Sequence, residues 1–430
     1  MLIHGKVYDL KGFKHPGGTE ILKLCKNEPD CTALFESYHA FCDMTKIKTI
    51  MKQYEVELSN EEPEPLFNFS KSGFYNICRE KVKCYINERK NVKANLEWFK
   101  TVVITSLMFI YFQYTLLFCD SNGLNSISGI WKLCCSLMSG ITLMSLGYNV
   151  LHDGSHHAIS KYSFINKIMS VGINGLLLLN HTLWSYHHCI RHHQYTGFTK
   201  MDPDMRNSMP FLRKTKKIEK SKVEYTKKFI GFKLLFFNII FPGTMFGQTL
   251  MYHYFWIKNK KLWKMKLPEL FYDNWTKLQY IISIIFCLTG LIYGGIYFLF
   301  HIIGTNIGYF IGSAPNHDMF PTHLEIENID YKKDWGELQV RHSGNFMNDN
   351  DLFTKFYGGI NYQIEHHLFP TLNNHKLKMI SPIVQQCCKD FNIPYTVVNN
   401  PIDVFNQVLK TYETVHEENK ENKENKEKII

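Results

Sequence analysis

Three histidine clusters in this chain have the spacing of metal ligands. The first is His152-Asp153-Gly154-Ser155-His156-His157, the second His188-Cys189-Ile190-Arg191-His192-His193, and the third Gln363-Ile364-Glu365-His366-His367. Residues four apart share one face of a regular helix, so the spacing pairs His152 with His156 and His188 with His192. One such cluster says little, since His-rich tracts bind several metals or none. Together the three offer eight imidazoles, enough to surround two metal ions. Imidazole suits iron, zinc and copper, so donor type alone does not select the metal. His187 adjoins the second cluster and leaves open which of His187 and His188 is the ligand. Asp153 and Glu365 read either as partners that orient imidazoles or as solvated carboxylates. The isolated His181, His253, His301, His323, His342, His375 and His416 read as structural or surface residues.

The N-terminal segment holds a different pair. Gly5-Lys6-Val7-Tyr8-Asp9-Leu10 is followed by His15-Pro16-Gly17-Gly18, by Asp30-Cys31-Thr32-Ala33-Leu34-Phe35, and by His39, which lies 39 − 15 = 24 residues after His15. This series resembles cytochrome b5. The resemblance implies that His15 and His39 are axial ligands of a haem b. Two neutral imidazoles on opposite haem faces give a six-coordinate iron suited to electron transfer, with no open position for oxygen. The paired glycines permit a tight turn at the porphyrin edge.

The elements that carry the clusters are apolar. Runs at about 98–119 and 129–151 lack acidic residues and are long enough, at 1.5 Å per residue, to cross a ~30 Å hydrocarbon core. Arg89, Lys90, Lys93 and Lys100 precede the first run, and the connection from Asp120 to Ser128 has no Lys or Arg. Basic residues stay on the cytosolic side, so the N-terminus and the first histidine cluster are expected there. A stretch at 229–256 is flanked by basic clusters on both sides, which predicts a re-entrant or interfacial segment around Pro242-Gly243; pairing it with one later span is the alternative. The run at 278–314 is long enough for two crossings, with a turn near Gly290–Gly295. Four spans result, and all three clusters lie on one side.

Composition narrows the class further. The chain has 430 residues, 45% hydrophobic and 15% aromatic, with a formal net charge of +10. The basic residues flank apolar runs, which fits cytosolic loops better than a nucleic-acid surface. The 12 cysteines include no CxxC pair, and the N-terminus has no basic-then-apolar leader, so the soluble parts are expected in a reducing compartment. The Glu-Asn-Lys repeats from about residue 417 predict disorder. Lys426 and Lys428 match a dilysine retrieval signal of the endoplasmic reticulum, a match that Lys-rich tails produce easily.

HxxxHH, HxxxHH and QxxHH after a cytochrome b5-like module resemble the membrane fatty acid desaturases, and within them the b5-fused front-end group. Tyr195-Thr196, Asp202-Pro203-Asp204 and the Gly358-Gly359-Ile360-Asn361-Tyr362 lead into the third cluster match as well. The second cluster departs from the HxxHH often found in this group, and Gln363 stands where other desaturases have a histidine. The resemblance implies an α+β haem module at 1–60, a linker and pre-membrane segment at 61–97, an all-α polytopic domain at 98–400 with a histidine-rich cap, and a tail at 401–430. It implies a non-haem di-iron centre held by His152, His156, His157, His188, His192, His193, His366 and His367, with His317 of Asn316-His317-Asp318 as a ninth ligand and Gln363 as a further one. Dioxygen is then the co-substrate, electrons come from NAD(P)H through cytochrome b5 reductase, and the substrate is an acyl chain on coenzyme A or a phospholipid. The expected site of action is the endoplasmic reticulum membrane, with Δ5 or Δ6 regiochemistry. A sphingoid-base desaturase and a lipid hydroxylase share these motifs. A metal transporter would hold its ligands near the bilayer midplane and has no use for a haem module; a haem-only carrier leaves the three clusters unexplained.

Overall fold

The computed structural model describes residues 1–56, 65–88, 92–119, 123, 126–224, 227–240, 248–262, 265–266, 273–328 and 333–417. The expected linker around 61–64, the turn at Pro242-Gly243 and the tail from 418, with its dilysine pair, lie outside the described residues.

The N-terminal module is built on a three-stranded antiparallel sheet of Leu2–Ile3, Lys6–Tyr8 and Glu55–Val56, with Val7 paired to Leu2 on one side and Val56 on the other. Short helices at Thr19–Leu24, Thr32–Tyr38 and Met44–Met51 enclose it. Asp43 caps the last of these by accepting from the Thr45 and Lys46 N–H groups, which have no partner inside the helix. The module's core of Ile3, Tyr8, Leu24, Leu34 and Phe35 continues into Tyr186 and Ile190 of the second histidine cluster's helix. The two parts of the chain therefore share one apolar core.

Polar contacts fasten the same junction. The Arg191 guanidinium lies 2.7 Å from the Glu28 carboxylate, with both side chains buried. Gln194 Nε2 donates to the Asp30 carbonyl at 2.6 Å, and Ser163 Oγ donates to the Gly17 carbonyl at 3.0 Å. The helix Phe74–Glu88 buries Tyr75, Cys78, Val82 and Ile86 along one face, against Val384, Cys387 and Cys388 of the helix Leu377–Asp390. The Tyr75 hydroxyl reaches the Glu36 carbonyl at 3.2 Å.

Among the described residues, four helices are long and apolar enough to cross a membrane: Leu96–Phe118, Ile127–Ser155, Asn274–Tyr293 and Gly295–Asp318. The run expected to fold as two crossings is divided at Gly294, whose φ of +102° favours glycine. The described residues of the stretch 229–256 form the shorter helices Ile230–Ile240 and Gln248–Asn259. Val103, Ile104, Leu107 and Ile110 on the first spanning helix face outward, as do Ile281, Ile284, Ile285 and Leu288 on the third, which suits contact with acyl chains. The second and fourth spanning helices touch through glycine. A Cβ on Gly304 would stand 2.0 Å from the Leu137 carbonyl oxygen, and one on Gly140 2.0 Å from that of His301. Without a hydrophobic drive between helices in lipid, close backbone approach supplies the packing. Gly304→Val is expected to cost about 3 kcal/mol through overpacking, read as a lowered melting temperature of the detergent-purified protein; an unchanged melting temperature would contradict this contact.

Candidate metal centre

The second spanning helix and the helix of the second histidine cluster are not regular where they end. Gly147–His152 and Ser185–His192 wind as π-helix. The wider turn bonds residues five apart rather than four, and single π turns of this kind are frequent at functional sites. His188 and His192 lie on one face, as their spacing predicts, with rings stacked 5.4 Å apart. His188 nevertheless does not share its site with His192. Its Nε2 lies 3.3 Å from Nε2 of His193, five residues on, while His192 Nε2 lies 3.2 Å from Nε2 of His317. His152 and His156 remain together, with ring centroids 4.7 Å apart. His366 and His367 come from the short helix Gln363–Leu368, in which all six residues are buried. The turn before it uses left-handed φ values at Gly358 and Gly359, and a Cβ on Gly359 would meet the Asn374 carbonyl oxygen at 2.5 Å.

Two imidazole groups result. His152, His156, His188, His193 and His366 form the first, and His192, His317 and His367 the second. Within the first, Nε2 of His188 is 3.0 Å from Nε2 of His152, and Nε2 of His366 is 3.0 Å from Nε2 of His193. Nitrogens bound to one ion at ~2 Å each sit roughly 3 Å apart, so these separations match ligands that share a metal. His193 stacks on His367 with centroids 4.3 Å apart and 13° between planes, which sets the groups side by side. Burial, reinforced by neighbouring imidazoles, holds His156, His188, His193, His366 and His367 well below the ordinary histidine range. Neutral rings with lone pairs turned toward one another fit a cation. So does Nε2 of His367, which is buried with no hydrogen-bond partner while Nδ1 lies 2.9 Å from Gln339 Oε1. Gln363 sits at the second group, its amide nitrogen 3.1 Å from His317 Nε2 and its amide oxygen buried without a partner.

The expected ligand set changes at His157. It takes a left-handed backbone (φ 57°) and stands outside both groups, on the side of Lys93 and His15. The open choice at the second cluster falls to His188, because His187 Nε2 lies 2.6 Å from Asp204 Oδ1.

The two carboxylates considered as orienting partners also serve elsewhere. Asp153 accepts from Trp98 Nε1 at 3.1 Å and Asn373 Nδ2 at 2.6 Å, and its nearer approach to His152 is 4.0 Å. Glu365 accepts from Asn345 at 2.8 Å and Tyr395 at 2.5 Å, and burial raises it to about 7. Both tie the ligand helices to the scaffold. The imidazoles are oriented by others. Asp202 Oδ1 is 3.1 Å from His192 Nδ1, Asn374 Nδ2 is 3.2 Å from His152 Nδ1, and the His342 carbonyl is 2.8 Å from His317 Nδ1. The Asp202 carboxylate and the His342 carbonyl only accept, so they fix the tautomer of His192 and His317 and raise ligand basicity; the Asn374 amide donates to His152 instead. The Asp-Pro-Asp motif was visible in sequence without this role; Gln339, Asn374 and His342 carry no spacing signal.

In the N-terminal module the His15 and His39 ring centroids are 5.9 Å apart, at 84°. A metal held between two rings at ~2 Å from each nitrogen requires roughly 6 Å. His39 Nδ1–H donates to the Phe35 carbonyl at 2.8 Å, which leaves Nε2 for a ligand bond. Burial, and the other imidazole, hold His15 down to about 4, and burial lowers His39 too, so both rings stay neutral as ligands must. The pair fits a bis-histidine haem.

A cleft opens onto the metal groups at His152, His188, His192 and His317. Trp184, stacked on His188 at 4.7 Å, lines it with Tyr148, Tyr309, Phe310 and Ile360. Its polar part is the buried Lys214–Asp318 ion pair at 3.0 Å, with the Tyr412 hydroxyl donating to Asp318 at 3.1 Å.

Comparisons with known proteins agree with this arrangement. The fatty acid desaturase family model matches residues 128–399, and the cytochrome b5-like haem/steroid binding domain model matches residues 1–57. An acyl-lipid (8-3)-desaturase of Mortierella alpina is 27% identical, covering 92% of this chain and 89% of its own length. Delta(5) fatty acid desaturase A of Dictyostelium discoideum is 26% identical (93% and 86%), and a Delta(8)-fatty-acid desaturase of Euglena gracilis 25% identical (92% and 90%). With its spanning helices, paired imidazole groups and N-terminal haem-type module, the chain belongs to the fatty acid desaturase family and carries a fused cytochrome b5-like domain.

Proposed function

We propose that the protein inserts a double bond on the carboxyl side of an existing one in a polyunsaturated acyl chain carried by a lipid, with Δ5 or Δ6 regiochemistry. The observation that carries this reading is the pair of buried imidazole groups, set side by side by His193 and His367 and open to one cleft. The front-end position and the lipid carrier are supported by the relatives' names, among them acyl-lipid and Delta(5) desaturases. Electrons enter through the fused haem module from NAD(P)H by way of a cytochrome b5 reductase. The basic flanks of the first span support placing the haem module and histidine groups on the cytosolic face of the endoplasmic reticulum membrane.

A saturated methylene has no acidic proton and no polar handle, so side chains alone cannot break its C–H bond. Two iron ions bound at the imidazole groups, with dioxygen as co-substrate, supply the oxidising chemistry. The chain's own residues do the rest. His152, His156, His188, His193 and His366 hold one ion, and His192, His317 and His367 the other, with Gln363 beside it. Asp202, Gln339 and the His342 carbonyl accept from Nδ1–H of His192, His367 and His317 and keep Nε2 of those rings turned inward. Trp184, Tyr148 and Phe310 line the path of the acyl chain and exclude water. Lys214, Ser208 and Asn207 offer hydrogen bonds at the polar part of the cleft, where the ester end is held.

The test is lipid profiling by mass spectrometry in yeast supplied with polyunsaturated acids. A new bond between the carboxyl end and an existing double bond is expected in the phospholipid fraction, and it should disappear in His15→Ala. A new bond confined to sphingoid bases, or a hydroxylated acyl chain, would replace this reading with that activity.

A further inference from the structure

The residue before the haem ligand His39 reaches the metal centre. Tyr38 ends the helix Thr32–Tyr38, and its hydroxyl oxygen lies 2.8 Å from Nδ1 of His156 in the five-histidine group. The two rings are 5.9 Å apart and tilted by 32°. The same hydroxyl is 3.4 Å from the carbonyl oxygen of Cys189, which directly follows His188. One side chain of the haem module thus touches the first and second histidine clusters together.

A neutral imidazole has one N–H and one lone pair, and only the tautomer that turns its lone pair inward can bind a metal. The Tyr38 geometry provides for one of the two. The Cys189 carbonyl can only accept, so a phenol proton given to it leaves the phenol oxygen to accept from Nδ1–H of His156. The Nε2 lone pair is then the one offered to the metal. Asp202 and the His342 carbonyl do the same for His192 and His317, but each of those comes from the desaturase domain. We propose that Tyr38 is a positioning residue by which the haem module completes the metal centre, fixing the tautomer and the orientation of His156. Metal binding at the five-histidine group then depends on a docked N-terminal module. The inference rests on reading that group as a metal site.

The test uses the full-length, haem-loaded protein in detergent, stripped of its iron and titrated with cobalt(II). The visible d–d bands report the ligand set, and a chelator competition gives the affinity. Tyr38→Phe keeps the ring and removes only the hydroxyl. We expect an unchanged haem Soret band, one of two cobalt ions bound about 10- to 100-fold more weakly, and a shifted d–d spectrum for that ion. A space-filling role alone would leave affinity and spectrum as in the parent, and that result overturns the proposal. If the parent protein binds no cobalt, the metal-site reading fails and takes this one with it, so the two failures are told apart. Should Tyr38→Phe lose its haem, 3,5-difluorotyrosine at position 38 replaces it. That phenol has the same shape and is a weaker acceptor, so an intermediate loss of affinity is expected, and parental affinity overturns the proposal.

Discussion

His193→Ala is expected to abolish desaturation, by more than a hundredfold, while leaving the haem module loaded. The ring touches both imidazole groups. Its Nε2 lies 3.3 Å from that of His188 and 3.0 Å from that of His366, and its plane rests on His367 of the neighbouring group. On the proposed two-ion reading, removing the ring takes away a ligand of one ion and a contact between the two groups. Loss of a residue that merely orients a ligand typically costs 10–100-fold in metal affinity or activity, and loss of the ligand itself costs more. The measurements are product formation by mass spectrometry, iron per chain by elemental analysis, and the Soret band as the control for folding. His157→Ala is the companion variant. It lies outside both groups, so its iron content should match the parent's. If His157→Ala loses iron as His193→Ala does, the assignment of ligands to the two groups is wrong.

Arg191→Met should loosen the haem module from the body. The Glu28 side chain is fully buried at 0% exposure and its partner nearly so at 8%, with the Tyr186 hydroxyl a further 3.2 Å donor to the carboxylate. The arginine also lies over the Tyr195 ring at 5.0 Å and donates to the Met201 carbonyl at 3.1 Å. Breaking one side of a buried ion pair strands a charge and costs about 3–5 kcal/mol. The expected signs are a lower melting temperature and faster hydrogen exchange in Thr32–Tyr38 than in the parent. Replacing both partners, Glu28→Leu with Arg191→Met, removes the stranded charge and should recover much of the protection, because an apolar pair of similar volume is often as stable as the ion pair. Parental exchange rates in the single variant would show that this pair does not hold the module in place.

These two sites differ in how far the sequence discloses them. The spanning helices could be read directly, because long uncharged runs have few other uses and Gly294 marks the turn inside the longest one. His15 and His39 could be paired because both lie in one short module with a fixed separation. His317 was reached through the family resemblance, and the second imidazole group contains it. The spacing put His188 and His192 on one face, where their rings stack; it did not disclose the π winding that also brings His193 to His188. His157 entered the expected ligand set through the family resemblance alone, and its left-handed backbone sets it outside both groups. Contacts between distant segments left no local trace. Glu28 meets Arg191 across 163 residues, and Asn374 reaches His152 across 222. Such pairs depend on how whole helices pack, which no local pattern records.

The π turn at Ser185–His192 also bears on how this cluster could vary in descent. A π turn holds about one residue more than an α turn over the same rise. An HxxxHH cluster wound this way is thus the geometric equal of an HxxHH cluster wound as plain α-helix, with the flanking helix unmoved. Insertion or deletion of one residue between His188 and His192 can be absorbed by the change of winding, and need not rotate everything downstream by 100°. A lineage can gain or lose that residue without passing through a form whose ligands point away from the metal. Such length differences would then be poor markers of a change in chemistry.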